Sequence, residues 1–444
     1  LVNRGTATIS GGTMSGFGCV IDTSADKEGL TLQSETTVVM LEDEAENGET
    51  KPCVIRGQFT WEDGSLKAKS TDYFPDYKNH GGPAEIEDRG DDGYIATFAG
   101  DVRNLTQTEF SWLQDALSIP HVKTVNLDLT DSGSGMELNK DLMILANKTL
   151  NLKNGELIVP AGQTLTNKGL LSIGGADPDE GNEEPVGYVT VENGATLANA
   201  GRIYVSMNSA LTNNGTATIS GGEVLVDGGN LQTAGLQNNG TLLVEANGAI
   251  TCKGSIANGN TATLTNKGTV TLSGRLMNVG TIQNTAGTIT LDPNTLDPNT
   301  RAVFQNGPER PENEIKGIFN NAGTLTIGQG CAFENTGSFT NNGTITLSGR
   351  LMNVGTIQNL SAITLGPDTR AVFQNGPETP GDKTEGSFDN AGTLTIGLGC
   401  TFENTGSFTN KGTCTNGGTF NHNGTGSNEK DFINNGTFNC TAEF

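Results

Sequence analysis

The strongest constraint on the fold of this chain is that it repeats itself at two scales. The 17 residues Gly343–Asn359, GTITLSGRLMNVGTIQN, differ from Gly268–Asn284 only at Ile345, which stands where the earlier copy has Val270. TRAVFQNGPE at 300–309 returns at 369–378, and NAGTLTIG at 321–328 returns at 390–397. The offset is 75 residues at Leu276/Leu351 but 69 at Arg301/Arg370, and the difference lies mostly in LDPNTLDPNT, a tandem that is single in LGPDT. A segment gained or lost between intact flanks behaves like a surface loop on a repetitive scaffold. Catalysis needs each group once, so duplication on this scale points to the repeat as the structure itself.

Inside the long repeat runs a shorter beat. Phe339, Ile345, Leu351, Ile357 and Ile363 are six residues apart, as are Val270, Leu276 and Ile282, and Phe408, Cys414 and Phe420; Phe432 and Phe438 continue the step after one missed place. Most follow Gly-Thr or Gly-Ser. Gly is expected to supply a positive-φ turn, with Asn the next most tolerant residue beside it. Thr and a β-branched or aromatic residue then form a short strand, with Ile345 inward and Thr344 and Thr346 outward. Three or four residues cannot hold a strand alone, but stacked on copies of themselves they pair in register and align like residues in inner ladders. Three such sides per turn give coils of about 18 to 22 residues. The expected fold class is all-β: a parallel β-helix.

Composition narrows what such a solenoid does. Gly makes up 62 of 444 residues and aromatics only 5%. No strict three-residue period is kept, which excludes collagen, and the regular apolar residues argue against disorder. The formal charge is −24, with 15 Lys and Arg against 32 Asp and Glu in residues 1–203, and 11 against 18 in the rest. That surface repels nucleic acid and anionic membranes and favours solubility. The seven Cys (19, 53, 252, 331, 400, 414 and 440) form no CxxC pair, and His80, His121 and His422 lie outside any zinc-like spacing. Cys331 and Cys400 hold matching places in the long repeat and read as small buried apolar residues. No run of about 18 apolar residues offers a membrane span. No secretion signal is visible at Leu1; for a secreted protein that segment was removed or left out of this chain.

GTATISGG at 5–12 is identical to 215–222, so the N-terminal region is expected to be β as well. It lacks the six-residue beat, and the expected organisation is a less regular β-rich region over 1–93 and a β-helix over 94–444, with duplicated coils at 268–343 and 343–412. One helix is expected near 105–118, in NLTQTEFSWLQDALSIP. Thr106 is its N-cap, Glu109 completes a capping box, Phe110, Leu113 and Leu117 share a face, and Pro120 stops it. A helix of this kind suits the open apolar end of a stack of coils.

The Asn-x-Gly-Thr-aliphatic unit resembles the repeats of large bacterial surface adhesins of the filamentous-haemagglutinin and autotransporter-passenger type, over roughly 100–444. The helix and the coils up to about 175 look like the start of a pectate-lyase-like right-handed β-helix. The six-residue step is also similar to the left-handed hexapeptide helix of acyltransferases. That family lacks Gly-Thr before its aliphatic residue and keeps a catalytic His, whereas His422 lies in the turn-like FNHNGTG; the right-handed form is preferred. The resemblance implies an extracellular or cell-surface protein. The expectation is a non-enzymatic adhesin and a monomer, presenting loops to a host or microbial surface glycan or protein, with neither nucleic acid nor membrane insertion. Coils of this type also carry enzymes and inert stalks, so the resemblance implies no particular ligand.

The alternative is a carbohydrate-active enzyme with its site in 60–190. Lyases on this fold need acids on one strand face to hold calcium, and hydrolases need paired carboxylates. The coils at 260–290 and 340–365 are nearly free of acids. NHGG at 79–82 and GDDG at 90–93 resemble pieces of polygalacturonase motifs, but in reverse order. No catalytic or cofactor-binding residue is assigned. The best cation candidate is ADPDEGNEEP, where Asp177, Asp179, Glu180, Glu183 and Glu184 offer hard oxygen ligands for calcium. The spacing is not that of an EF-hand, and a solvated acidic loop explains these residues as well. Arg275 and Arg350 read as outward surface residues of equivalent coils. Outward pairs such as Thr324/Thr326 and Thr344/Thr346 have the character of flat ice-binding ladders, but strand propensity explains them equally well, and their spacing along the chain is uneven.

Overall fold

The computed structural model describes the chain from Val102 onward, apart from residues 119–121, 131–134, 176–185, 228–234, 294–300, 309–316, 367–368, 378–385 and 443–444; before Val102 it describes the backbone of the strands. The chain divides into two compact units, Leu1–Asp128 with Asn147–Leu150, and Leu129–Ala146 with Asn151–Phe444.

The first unit holds three parallel ladders. Val2–Asn3, Val20–Thr23 and Val54–Arg56 form one; Ala7–Ile9, Leu30–Leu32 and Phe59–Trp61 the second; Gly12–Phe17, Thr36–Leu41 and Gly64–Ala68 the third. The N-terminal region is thus β-rich, as expected, and its strands are sorted into three ladders. A hairpin, Asp43–Glu44 with Thr50–Lys51, lengthens one coil and hides the period in the sequence. Tyr94–Phe98 then runs antiparallel to Gly64–Ala68. Val102–Thr106 and Thr124–Asp128 are a parallel pair, and the expected helix connects them. Its first half, Gln107–Trp112, is a 3-10 helix that relaxes to α over Leu113–Ser118. The Thr106 N–H donates to Glu109 Oε2 at 3.0 Å, and Phe110, Leu113 and Leu117 are buried.

The second unit is a parallel β-helix of four-residue strands. Each strand pairs with the third one further along, so that Thr344–Leu347 lies between Thr324–Ile327 and Ala362–Leu365. Three sides result. The first runs from Leu142–Ile144 to Thr425–Asn428, and in the other two Leu170–Ile173 leads to Phe432–Asn434 and Gly187–Val191 to Thr437–Cys440. Loops leave at the corners, so uneven sequence spacing disappears in the register. Thr288, Thr324 and Thr344 are direct neighbours on successive coils.

Within a strand the second and fourth residues face inward. Phe339, Ile345, Leu351, Ile357 and Ile363 are completely buried, as the six-residue step predicts. Phe408, Cys414 and Phe420 are buried too, whereas Phe432 and Phe438 are half-buried. The duplication reproduces the packing as well as the sequence. Phe304 meets Phe333 edge-on at 4.8 Å and 84°, and their counterparts Phe373 and Phe402 meet at 5.0 Å and 87°. Phe319 stacks on Phe339 at 4.8 Å, and Phe388 on Phe408 at 5.3 Å.

Two expectations about the corners need correction. The Gly of the Gly-Thr step is not at positive φ: Gly337 and Gly343 are absent from the left-handed residues, which include Gly162, Gly194, Gly330 and Gly399 in the longer turns. Gly is required at Gly337 because a Cβ there would collide with the carbonyl oxygen of Gly317, one coil away. The Asn of the repeat is not a turn residue either. It occupies the inward fourth position on two sides, where Asn321, Asn341, Asn359, Asn390 and Asn410 are completely buried. Each amide nitrogen donates to the amide oxygen of the next coil at 2.7–2.8 Å. The same nitrogen reaches a backbone carbonyl further along, as Asn341 does to Ala362 at 3.2 Å. A polar side chain is tolerated in this core because its bonds are satisfied by copies of itself.

Candidate binding face

The outward residues of the side containing Thr344–Leu347 stand in two columns. The first strand position reads Ala249, Thr269, Thr288, Thr324, Thr344, Ala362, Thr393 and Thr413, and the third reads Thr251, Thr271, Thr290, Thr326, Thr346, Thr364, Thr395 and Thr415, all in unbroken register. Six of eight first positions and all eight third positions are Thr, and the other two are Ala. Adjacent coils lie about 4.8 Å apart and the two columns about 6.6 Å apart, the spacings of any β-sheet. The result is a grid of hydroxyl and methyl groups along one side of the coils. Thr269, Thr344 and Thr393 are exposed and the other Thr of the two columns from Thr269 to Thr415 half-buried, because neighbours on the face shield one another.

Strand propensity does not account for the third column. The other two sides are built from the same hexads and need strand formers equally. Their third positions include Gln283, Asn320, Gln358 and Asp389 on one side, and Met277, Gln305, Glu334 and Met352 on the other. Uniform Thr belongs to one face only. The face is also uncharged in a chain with 50 Asp and Glu. Along the two columns the first charged residues are Glu223, which accepts from Thr251 Oγ1 at 2.7 Å, and Asp431 beyond Thr413, while Lys253, Lys267, Asp292 and Lys411 stand at the corners on either side. The sequence marked only single pairs on this face, Thr324/Thr326 and Thr344/Thr346; the full columns emerge once strands are assigned to sides, since loops scatter their members along the chain.

The remaining candidates fall elsewhere. Asp177, Asp179, Glu180, Glu183 and Glu184 lie outside the described residues, as do NHGG and GDDG. Among the described residues no group of three or more His, Cys, Asp or Glu is placed to hold a metal ion, and no helix is long and apolar enough to cross a membrane. Arg275 is half-buried, its Nη2 donating to Gln305 Oε1 at 2.7 Å, whereas Arg350 is exposed. Cys331 and Cys400 are buried free thiols, as their matching places predicted. Burial pushes the Cys414 thiol up to about 12, and burial with the charge of Asp227 does the same to Cys252. Thiols held neutral in this way pack as apolar groups and are poor nucleophiles.

No protein-family model, curated protein or solved structure matches this chain.

Proposed function

We propose that this chain is a non-enzymatic, extracellular or cell-surface binding protein of the adhesin type, and that its Thr face docks on a neutral, regularly repeating, hydroxyl-rich surface such as a host or microbial glycan. The observation that carries the reading is the sixteen-position uncharged face on a chain of net charge −24. A face kept free of charge is cheap to desolvate, because burying hydroxyls that find new partners costs far less than burying carboxylates. Repetition adds avidity, since each further coil that engages adds its contacts at high effective concentration. The buried Asn and Phe ladders supply the rigidity that keeps such a grid in plane.

The fixed two-dimensional repeat favours one second reading, a face that orders water into an ice-like layer and binds ice. The test compares the chain with a Thr326→Asp/Thr346→Asp variant on neutral insoluble polysaccharides, on acidic ones, and on growing ice. Retention on neutral polysaccharide that drops at least tenfold in the variant supports the glycan reading. Incorporation into ice with no polysaccharide retention supports the second. Equal retention of both proteins removes the Thr face as the site, and new reducing ends or unsaturated products would overturn the non-enzymatic reading.

A further inference from the structure

One ladder in the core contains a substitution that its neighbours make chemically conspicuous. On the side that ends at Thr437–Cys440 the inward fourth position is Asn in nine successive strands, from Asn213 to Asn404, and then His422. The duplication supplies an internal control. Asn353 is the counterpart of His422, one repeat earlier; it accepts from Asn335 at 2.7 Å and donates to Asn375 at 2.7 Å. His422 is completely buried in the same kind of place.

The polarity of the ladder dictates the state of the ring. Asn375 Nδ2 donates to Asn404 Oδ1 at 2.7 Å and to Ser407 O at 2.8 Å, so the Asn404 oxygen is engaged from behind. The Asn404 amide nitrogen therefore faces forward and shares its two hydrogens among His422 Nδ1 at 3.1 Å, Gly406 O at 3.1 Å and Thr425 O at 3.3 Å. An amide nitrogen only donates, so Nδ1 must bring a lone pair, and the ring must be neutral with its proton on Nε2. Protonating Nδ1 sets two donors against each other. Turning the Asn404 amide round would pass the conflict back to Asn375 and give up its backbone carbonyls.

We infer that His422 is an acid-sensitive latch: the coils after Asn404 are held while the imidazole is neutral and loosen when it is protonated. A buried imidazolium also lacks water, which adds to the mismatch. Among the described residues, the strands packed on the ring bring no carboxylate side chain to it. Of the strands packed on it, Ser407–Asn410 and Thr425–Asn428 carry no titratable residue. Thr401–Asn404 carries Glu403, which alternates outward, Thr413–Asn416 carries the buried Cys414, and Thr437–Cys440 carries Cys440 in register with His422. Glu429 and Lys430 are exposed in the following turn. The consequence is local, because each coil touches only its neighbours. Loosening removes Phe432 and Phe438 from Phe420, on which they pack at 5.3 and 5.5 Å, and uncovers the Thr401–Asn404 strand edge.

Hydrogen exchange of the whole chain, corrected for intrinsic rates, tests the latch on either side of the ordinary imidazole range, at about pH 7.5 and about pH 5. The native chain is expected to lose about tenfold or more of its protection in Thr419–His422 and Thr437–Cys440 at the lower pH, while Arg350–Asn353 keeps its own. His422→Asn, which restores the ladder, should abolish the difference. Asn353→His should move the sensitivity to Arg350–Asn353 and Val372–Asn375. Unchanged protection in the native chain at the lower pH, or the same loss in His422→Asn, would overturn the inference.

Discussion

Replacing Asn341 by Leu tests the ladder that holds the coils in register. Leu keeps the branching of the amide but is bulkier, and its methyls cannot sit at the 2.8 Å spacing of the ladder, so an overpacking cost of about 1–3 kcal/mol adds to the lost bonds. Asn341 accepts from Asn321 Nδ2 at 2.8 Å, donates to Asn359 Oδ1 at 2.8 Å and to the carbonyls of Gly343 and Ala362, and accepts from the Gly343 N–H at 3.3 Å. Leu removes all of these. The Asn359 oxygen loses its donor in the core and the half-buried Gly343 N–H its acceptor, while the Asn321 nitrogen keeps only its long bonds to Gly323 at 3.4 Å and Thr344 at 3.5 Å. At about 1–3 kcal/mol for each of two to three stranded groups, the gross loss is about 2–9 kcal/mol. Burying the larger apolar side chain returns about 1–2 kcal/mol, leaving a net loss of several kcal/mol. A solenoid is not a reliable two-state system, so the assay is site-resolved hydrogen exchange. Protection in Ser338–Asn341 and its neighbours Ile318–Asn321 and Thr356–Asn359 should fall by two or more orders of magnitude, with Thr196–Asn199 unaffected. A variant as protected as the native chain would mean that the buried amides are merely tolerated.

The remaining predictions address the core and its thiols. Ile345→Asp buries an unpaired charge and should cost several kcal/mol, whereas Thr344→Asp, one residue away but exposed, should cost well under about 1 kcal/mol; equal loss of exchange protection in the two would mean that the inward set is misassigned. The Cys252 and Cys414 thiols rise from the ordinary 9.0 to about 12 on folding. Their contribution is therefore fully present below pH 9 and is lost as the pH rises from there towards 12, because the unfolded chain ionises first. Denaturation midpoints measured across that window should fall, and Cys414→Ala should flatten the decline; an unchanged slope would show that the decline has another origin.

Much of the fold is legible in the residues because a β-helix is a local code repeated. The six-residue step from Phe339 to Ile363 alone assigns an inward residue to every short strand, since a two-residue strand period and a corner leave no other phase that buries them all. Duplicated phrases then say which coils are equivalent, and Thr106 with Glu109 marks the helix start by capping chemistry that needs no tertiary partner. The N-terminal coils escaped this reading because the Asp43–Glu44 hairpin breaks their spacing. What the residues by themselves cannot convey is who lies beside whom between coils. Thr288 and Thr324 are 36 positions apart in the chain and adjacent in the sheet, so the uniform Thr column exists only after three-sided stacking sorts the hexads by side. The buried Asn has the same origin. Alone it is a turn former, and only an identical amide one coil above and one below turns a costly buried dipole into a satisfied ladder. For the same reason His422 is an unremarkable residue in FNHNGTG until the register places its Nδ1 in front of the Asn404 amide.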